Sequence, residues 1–128
     1  MDIRELYERG LKLRKKMFGA DTVDKRMQSL GEFGVPLQQM INAYAYGDVW
    51  SRDGLTPRQR SLVVLGINAA TGHPNEFRVH VKGALANGCT LEEIQGVLLL
   101  GAGDSGIPAA LEAHHIALEV FNAQPADR

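Results

Sequence analysis

Cysteine and aromatic rings are scarce in this sequence of 128 residues, which has one cysteine, one tryptophan and an aromatic share of 6%. A lone thiol, Cys89, cannot close a disulfide within the chain, so the fold must rest on its apolar core, and a reducing compartment fits that usage. Cys-x-x-Cys is missing. Without a second thiol to resolve an oxidised one, Cys89, just behind Gly88, reads as a passive small residue in a turn. Charge of one sign is not in excess either: 14 Lys and Arg stand against 15 Asp and Glu, for a formal net charge of -1. With no basic stripe and no acidic tail, neither nucleic acid nor an anionic membrane is an expected partner. Long apolar runs are absent. The longest apolar-rich stretch, Leu62 to Ala70, is too short to cross a bilayer, which takes about 20 residues. The opening Met1-Asp2-Ile3-Arg4-Glu5 is charged and lacks the apolar core of a signal peptide. No segment alternates apolar and polar residues as a half-buried strand would. The expectation is a cytoplasmic protein that folds as one all-α domain over residues 1–128.

What is present is helical punctuation. Ile3, Leu6, Gly10, Leu13 and Met17 recur at three-four spacing, one stripe of an amphipathic helix that Gly19 ends. Val23, Met27 and Leu30 suggest a short second helix. Pro36 opens a third, with Leu37, Met40, Ile41 and Tyr44 on one side. Gly47 to Leu55 is rich in turn residues and reads as a connection. Thr56-Pro57-Arg58-Gln59 joins a capping residue, a proline at the first helical position and a glutamine three beyond the cap. It predicts a helix to about Thr71, stopped by Gly72. The apolar content of Ser61 to Ala70 makes this helix the expected central, most buried one. Pro74 opens the next helix and Gly88 closes it. Thr90-Leu91-Glu92-Glu93 is a second capping box, and Gly101, Gly103 and Gly106 are expected to interrupt the helix it starts. Pro108 begins a last helix to about Ala123. The polar tail from Gln124 to Arg128 is expected to be loose.

Several residue groups could carry chemistry. Glu76 and His80 lie four apart on the helix after Pro74 and therefore share a face. A carboxylate beside an imidazole stabilises its protonated form and fixes its tautomer, which suits acid-base work near neutral pH. The alternative is a solvated pair on a helix surface. Glu112 and His115 form Glu-x-x-His, half of a di-iron carboxylate motif. Such a site needs two half-motifs, and Glu76 and His80 have the wrong spacing to be the second, so no metal is expected and His115 stands as a surface or interface histidine. Gly101-Ala102-Gly103-Asp104-Ser105-Gly106 matches Gly-x-Gly-x-x-Gly, but a helix precedes it where the dinucleotide fingerprint needs a strand. It reads instead as a connection that brings helices close, with Asp104 or Ser105 available to a pocket. Trp50 and Arg52 sit in the turn-rich connection, and Arg60 lies early in the central helix. A guanidinium at either place could fork onto a substrate carboxylate, or could make an ordinary surface ion pair.

Taken together, Gly47-Asp48-Val49-Trp50-Ser51-Arg52, Gly54-Leu55, Arg60-Ser61-Leu62, Glu76-x-x-x-His80, Asn87-Gly88 and Gly106-Ile107-Pro108-Ala109-Ala110 resemble the γ-carboxymuconolactone decarboxylase family over roughly residues 5 to 122. The resemblance implies an all-α helical bundle of the alkylhydroperoxidase-D type, assembled as a ring-shaped homo-oligomer, a trimer or a hexamer. It implies a cofactor-free conversion of 4-carboxymuconolactone, from protocatechuate catabolism, into 3-oxoadipate enol-lactone and carbon dioxide. It further implies His80 as proton donor or dienolate partner, Glu76 as the residue that orients it, and Arg52 or Arg60 as the holder of a carboxylate. Trp50, Asp104 and His115 would complete the substrate pocket. Thiol peroxidases of the same superfamily carry Cys-x-x-Cys-x-x-x-His, and those cysteines would fall on His73 and Glu76. A glutamate they carry on the preceding helix would fall on Ser61. None of those redox residues is here. Asp104 stands where typical members have tyrosine, Leu100 near a glutamine, and Asp53 at a common proline. An ionised Asp104 would repel a dicarboxylate, which points to a less anionic lactone or β-keto acid. A non-catalytic oligomeric small-molecule-binding paralogue is the alternative.

Overall fold

The structure is a computed structural model and describes residues 1–124. The expectation for the tail beyond Gln124 lies outside the described residues. Those residues are helical with no strand, and they group into two compact units, Met1–Thr56 and the chain from Pro57 onward.

In the first unit, α1 (Ile3–Phe18) starts where the Asp2 carboxylate accepts the Glu5 N–H at 2.8 Å, and it ends at Gly19, whose φ of 90° favours glycine. α2 (Ala20–Gln28) follows. A 3-10 turn (Gly31–Gly34) then leads into α3 (Val35–Met40), which runs on as a π-helical segment (Ile41–Asp48) and a closing 3-10 turn (Val49–Ser51). The expected connection from Gly47 is thus helical as far as Ser51. The main packing is α1 against the π-helical segment. Met17, Phe18, Val23, Ala43 and Tyr46 are buried there, and so is a polar set, Arg14, Gln38 and Asn42. Arg14 Nη1 donates to Gln38 Oε1 at 2.9 Å and Asn42 Oδ1 at 3.0 Å, and its guanidinium lies over the Tyr46 ring, 5.8 Å from the centroid. This explains why Leu37, Met40 and Tyr44 are exposed and Ile41 is half-buried. A buried guanidinium must meet acceptors, so the face carrying Gln38 and Asn42 turns inward.

The second unit packs α4 (Pro57–Thr71), α5 (Pro74–Ala86), α6 (Leu91–Ser105) and α7 (Ile107–Asn122) around Leu65, Phe77, Val81, Ile94, Leu98, Ile116 and Val120. The α5 terminus is a Schellman motif. Gly88 takes a φ of 90°, its N–H donates to the Leu85 carbonyl at 3.1 Å, and the Cys89 N–H donates to Ala84 at 2.9 Å. Cys89 is thereby set into the core as the apolar residue that such a cap usually buries.

Two expectations fail. α4 is not the most buried helix: only Ser61 and Leu65 are buried, while Val63 and Ile67 are 52% and 53% exposed. Its sequence is apolar around much of its circumference, but one face alone meets α5 and α6. The second failure concerns α6, which runs unbroken through Gly101 and Gly103 and stops at Gly106, where φ reaches 106°. Glycine costs a helix about 1 kcal/mol, too little to break one that packs along its length against α4 and α7.

The Thr90 capping box is present in full. Thr90 Oγ1 accepts the Glu93 N–H at 3.0 Å, and Glu93 Oε1 accepts the Thr90 N–H at 2.9 Å. The other Glu93 oxygen takes the Arg58 guanidinium of α4. Thr90→Ala should therefore destabilise the protein by about 1 kcal/mol. Denaturant unfolding checks this, and an unchanged midpoint would show the box to be idle.

Candidate active site

α5 is the platform. Pro74 sits in its first turn, and Phe77, Val81 and Ala84 point into the core. Glu76, in the first turn, is exposed, and His80, one turn later, is buried with 6% of its surface accessible. The pair therefore runs from solvent into the protein along one helix face. The His80 Nδ1 atom is itself buried and has no hydrogen-bond partner among the described residues.

Ser61, about one turn into α4, is fully buried, and its hydroxyl accepts a hydrogen bond from Asn87 Nδ2 at 3.0 Å. The Ser61–Asn87 pair is thus neutral. Cys89 is remote from redox work. Its thiol donates to the Arg58 carbonyl at 3.4 Å, and burial pushes its pKa up, away from the thiolate that would react.

Three other predicted residues lie on α4, α6 and α7. Arg60 is half-buried near the start of α4. Asp104 is exposed near the end of α6, where it lines an open groove of about 560 Å³ with Leu62, Val63, Ile67, Leu100 and Ser105. That groove does not include Glu76, His80 or His115. His115 is exposed on α7, and the preceding His114 is half-buried. No three His, Cys, Asp or Glu side chains gather into a metal-binding group among the described residues.

Trp50 and Arg52 belong to the first unit. Trp50 stacks on Tyr46, with ring centroids 5.8 Å apart and planes at 23°, and Phe18 meets the same tyrosine edge-on at 5.9 Å. Arg52 is already paired. Its Nε and Nη2 donate to the two Asp48 oxygens at 2.8 and 3.3 Å, so a substrate carboxylate at Arg52 would compete with Asp48. The hydrogen bond from Arg52 holds the Asp48 carboxyl below its ordinary pKa. The folded state then binds fewer protons there than the unfolded chain, so the contribution to stability is present above the ordinary carboxylate range and is lost as pH falls through it. Asp48→Asn should flatten the acid limb of the stability profile slightly, since the pair is exposed. Unfolding midpoints measured between neutral pH and about pH 3 test this, and parallel profiles for the two proteins would refute it.

Arg14, Tyr46 and the Ser61–Asn87 pair were not singled out by spacing. For Arg14 the signal existed: it lies four after Gly10 and three before Met17, on the stripe that buries α1.

The sequence also compares with known proteins. A family model described as the carboxymuconolactone decarboxylase family matches residues 36–119, a span that contains Trp50, Arg52, Arg60, Glu76, His80, Asp104 and His115. The chain is 35% identical over 121 residues to a 4-carboxymuconolactone decarboxylase of Acinetobacter baylyi, covering 94% of this chain and 90% of that protein. It is 34% identical over 119 residues to a nitrosuccinic acid decarboxylase of Metarhizium robertsii, covering 93% and 83%.

Proposed function

The chain belongs to the carboxymuconolactone decarboxylase family, and on that premise we propose that it is a carboxy-lyase that converts 4-carboxymuconolactone, or a related lactone, into 3-oxoadipate enol-lactone and carbon dioxide without a resident cofactor. The observation that carries this reading is the coverage of 94% of the chain by a relative named for that reaction. The second relative supports the coarser class. In nitrosuccinic acid, as in the lactone, breaking the carbon–carboxylate bond leaves an electron pair beside a group that can withdraw it.

The chemistry asks three things of the protein. A carboxylate must be held, which is the role proposed for Arg52 or Arg60. As carbon dioxide leaves, the electron pair spreads from the ring carbon to the lactone carbonyl oxygen, and that charge must be stabilised in a site with little water. A proton must then reach the ring carbon next to the carbonyl. His80 is proposed to face the dienolate and give that proton, with Glu76 orienting it and returning it to the charged form from solvent. Its burial beside an exposed carboxylate on one helix suits that exchange. Trp50 and His115 are proposed to line the substrate, and Asp104 to bias the pocket toward less anionic lactones. The protein is proposed to act in the cytoplasm as a ring-shaped trimer or hexamer. Exposed Val63, Ile67, Leu100, Ile107 and Leu111 support assembly, because apolar surface of this kind is normally covered.

The test is carbon dioxide release from 4-carboxymuconolactone beside related lactones and nitrosuccinate. Turnover of a lactone supports the proposal. Tight binding of every candidate without carbon dioxide release would make the protein a binding paralogue.

A further inference from the structure

Between α6 and α7 of the second unit lies a groove of about 430 Å³ with Ile94, Leu98, Ala117 and Phe121 among its walls. Its polar lining is confined to Glu92, Gln95 and His114, and none of the roles proposed above uses them. His114 Nδ1 lies 2.7 Å from the carbonyl oxygen of Ala110, one turn back on its own helix. A carbonyl oxygen can only accept, so Nδ1 carries the proton. In the neutral ring Nε2 is then left as a hydrogen-bond acceptor on the edge of the ring turned away from the helix backbone. His114 therefore carries an acceptor held by its own helix, beside the exposed Glu92 and Gln95, on a groove whose other walls are apolar.

The occupant follows from these groups. A carboxylate or phosphate would meet the lone pair of Nε2 and the Glu92 charge, so an anion is disfavoured. A purely apolar molecule would bury Nε2 without a partner, which is costly. A molecule with an apolar ring and one O–H satisfies both demands. The size agrees, since a cavity of roughly 150 Å³ already takes benzene. A stable protein partner would need some 20–30 residues on each side, far more than line this groove.

We propose that the α6–α7 groove binds a small neutral hydroxyaromatic of the phenol class, its ring against Leu98 and Phe121 and its hydroxyl donating to His114 Nε2. The site is separate from Glu76 and His80, and its existence does not depend on which lactone the protein decarboxylates.

The test is titration of the isotopically labelled full chain with phenol, toluene and benzoate, followed by backbone and imidazole nitrogen spectra at about pH 8, where an ordinary imidazole is neutral. Phenol should give saturable shifts at Ile94, Leu98 and Ala117 with an affinity about tenfold above that of toluene, as one hydrogen bond to a half-buried acceptor warrants. Benzoate should bind more weakly than phenol. His114→Leu should reduce phenol to the affinity of toluene. Glu92→Gln, an exposed change that leaves the walls intact, should raise benzoate affinity several-fold. Absence of saturable shifts at these residues overturns the proposal, including the case in which a second copy of the chain covers them. Equal binding of phenol and toluene, or a phenol preference that survives in His114→Leu, overturns it too.

Discussion

Replacing His80 by glutamine should lower lactone turnover by about two orders of magnitude or more. Glutamine is the informative change because His80 is buried in a packed interior. Alanine would also open a cavity, and the loss of activity could then be read as loss of structure. Glutamine keeps most of the volume and a hydrogen-bonding end but cannot cycle a proton near neutral pH. A hundredfold loss is about 2.7 kcal/mol of transition-state stabilisation, within the usual range for a positioned general acid. Because the proton is needed only after the carboxylate bond begins to break, kcat should fall while KM stays within a few-fold. Glu76→Gln should have a smaller effect, since an exposed carboxylate that orients the imidazole is partly replaced by water. Steady-state kinetics beside unfolding midpoints separate the cases. A stable His80→Gln protein that turns over at the native rate would remove His80 from its role.

How much of this was readable in the sequence depends on whether the relevant signal is local. The end of α1, both ends of α5 and the starts of α6 and α7 were legible because caps and breakers are short patterns: Gly19, Pro74, Gly88, Thr90 with Glu93, and Pro108 each act on the adjacent turn. The Glu76–His80 face was legible for the same reason, because a separation of four on a helix fixes a shared side. What spacing could not give was the environment of that face. Glu76 lies in solvent and His80 does not, and only the packing of α5 in its unit decides this. Apolar content misled where an element's partners were decisive. α4 was expected to be central from its composition, yet Val63 and Ile67 face outward. Leu37, Met40 and Tyr44 likewise yield the interior to Gln38 and Asn42, which are needed by Arg14, 24 and 28 residues away in sequence. The pairing of Arg52 with Asp48 could have been anticipated from its separation of four, had the segment been expected to be helical.

Gly10 carries the largest stability effect expected of any single methyl group in the first unit. α1 crosses the π-helical segment at Gly10 and Gly47, and Arg9 Nε donates to the Gly47 carbonyl at 2.8 Å beside that crossing. A Cβ on Gly10 would fall inside the van der Waals surface of the Asn42 carbonyl oxygen and 2.6 Å from the Gly47 nitrogen. Both are backbone atoms and cannot swing aside. In an open helix, glycine to alanine would be a gain of about 1 kcal/mol, but here α1 must instead move off its seat. That movement pulls Arg14 from its acceptors on Gln38 and Asn42 and leaves a buried guanidinium poorly compensated, a defect worth about 3 kcal/mol or more. Gly10→Ala should therefore destabilise the unit by at least about 3 kcal/mol, measured by chemical denaturation at constant m. Gly54→Ala is the control, since a Cβ there meets nothing within 4 Å and its φ is not positive. It should be neutral or slightly stabilising. Gly47→Ala attacks the same seam from the other side, where its Cβ would meet the backbone of Leu6. Once one alanine has parted the helices the second has little left to displace, so the double variant should cost well under the sum of the two. Similar midpoints for Gly10→Ala and Gly54→Ala would mean that the seam yields without loss. Strict additivity of the two seam variants would mean that the glycines act independently.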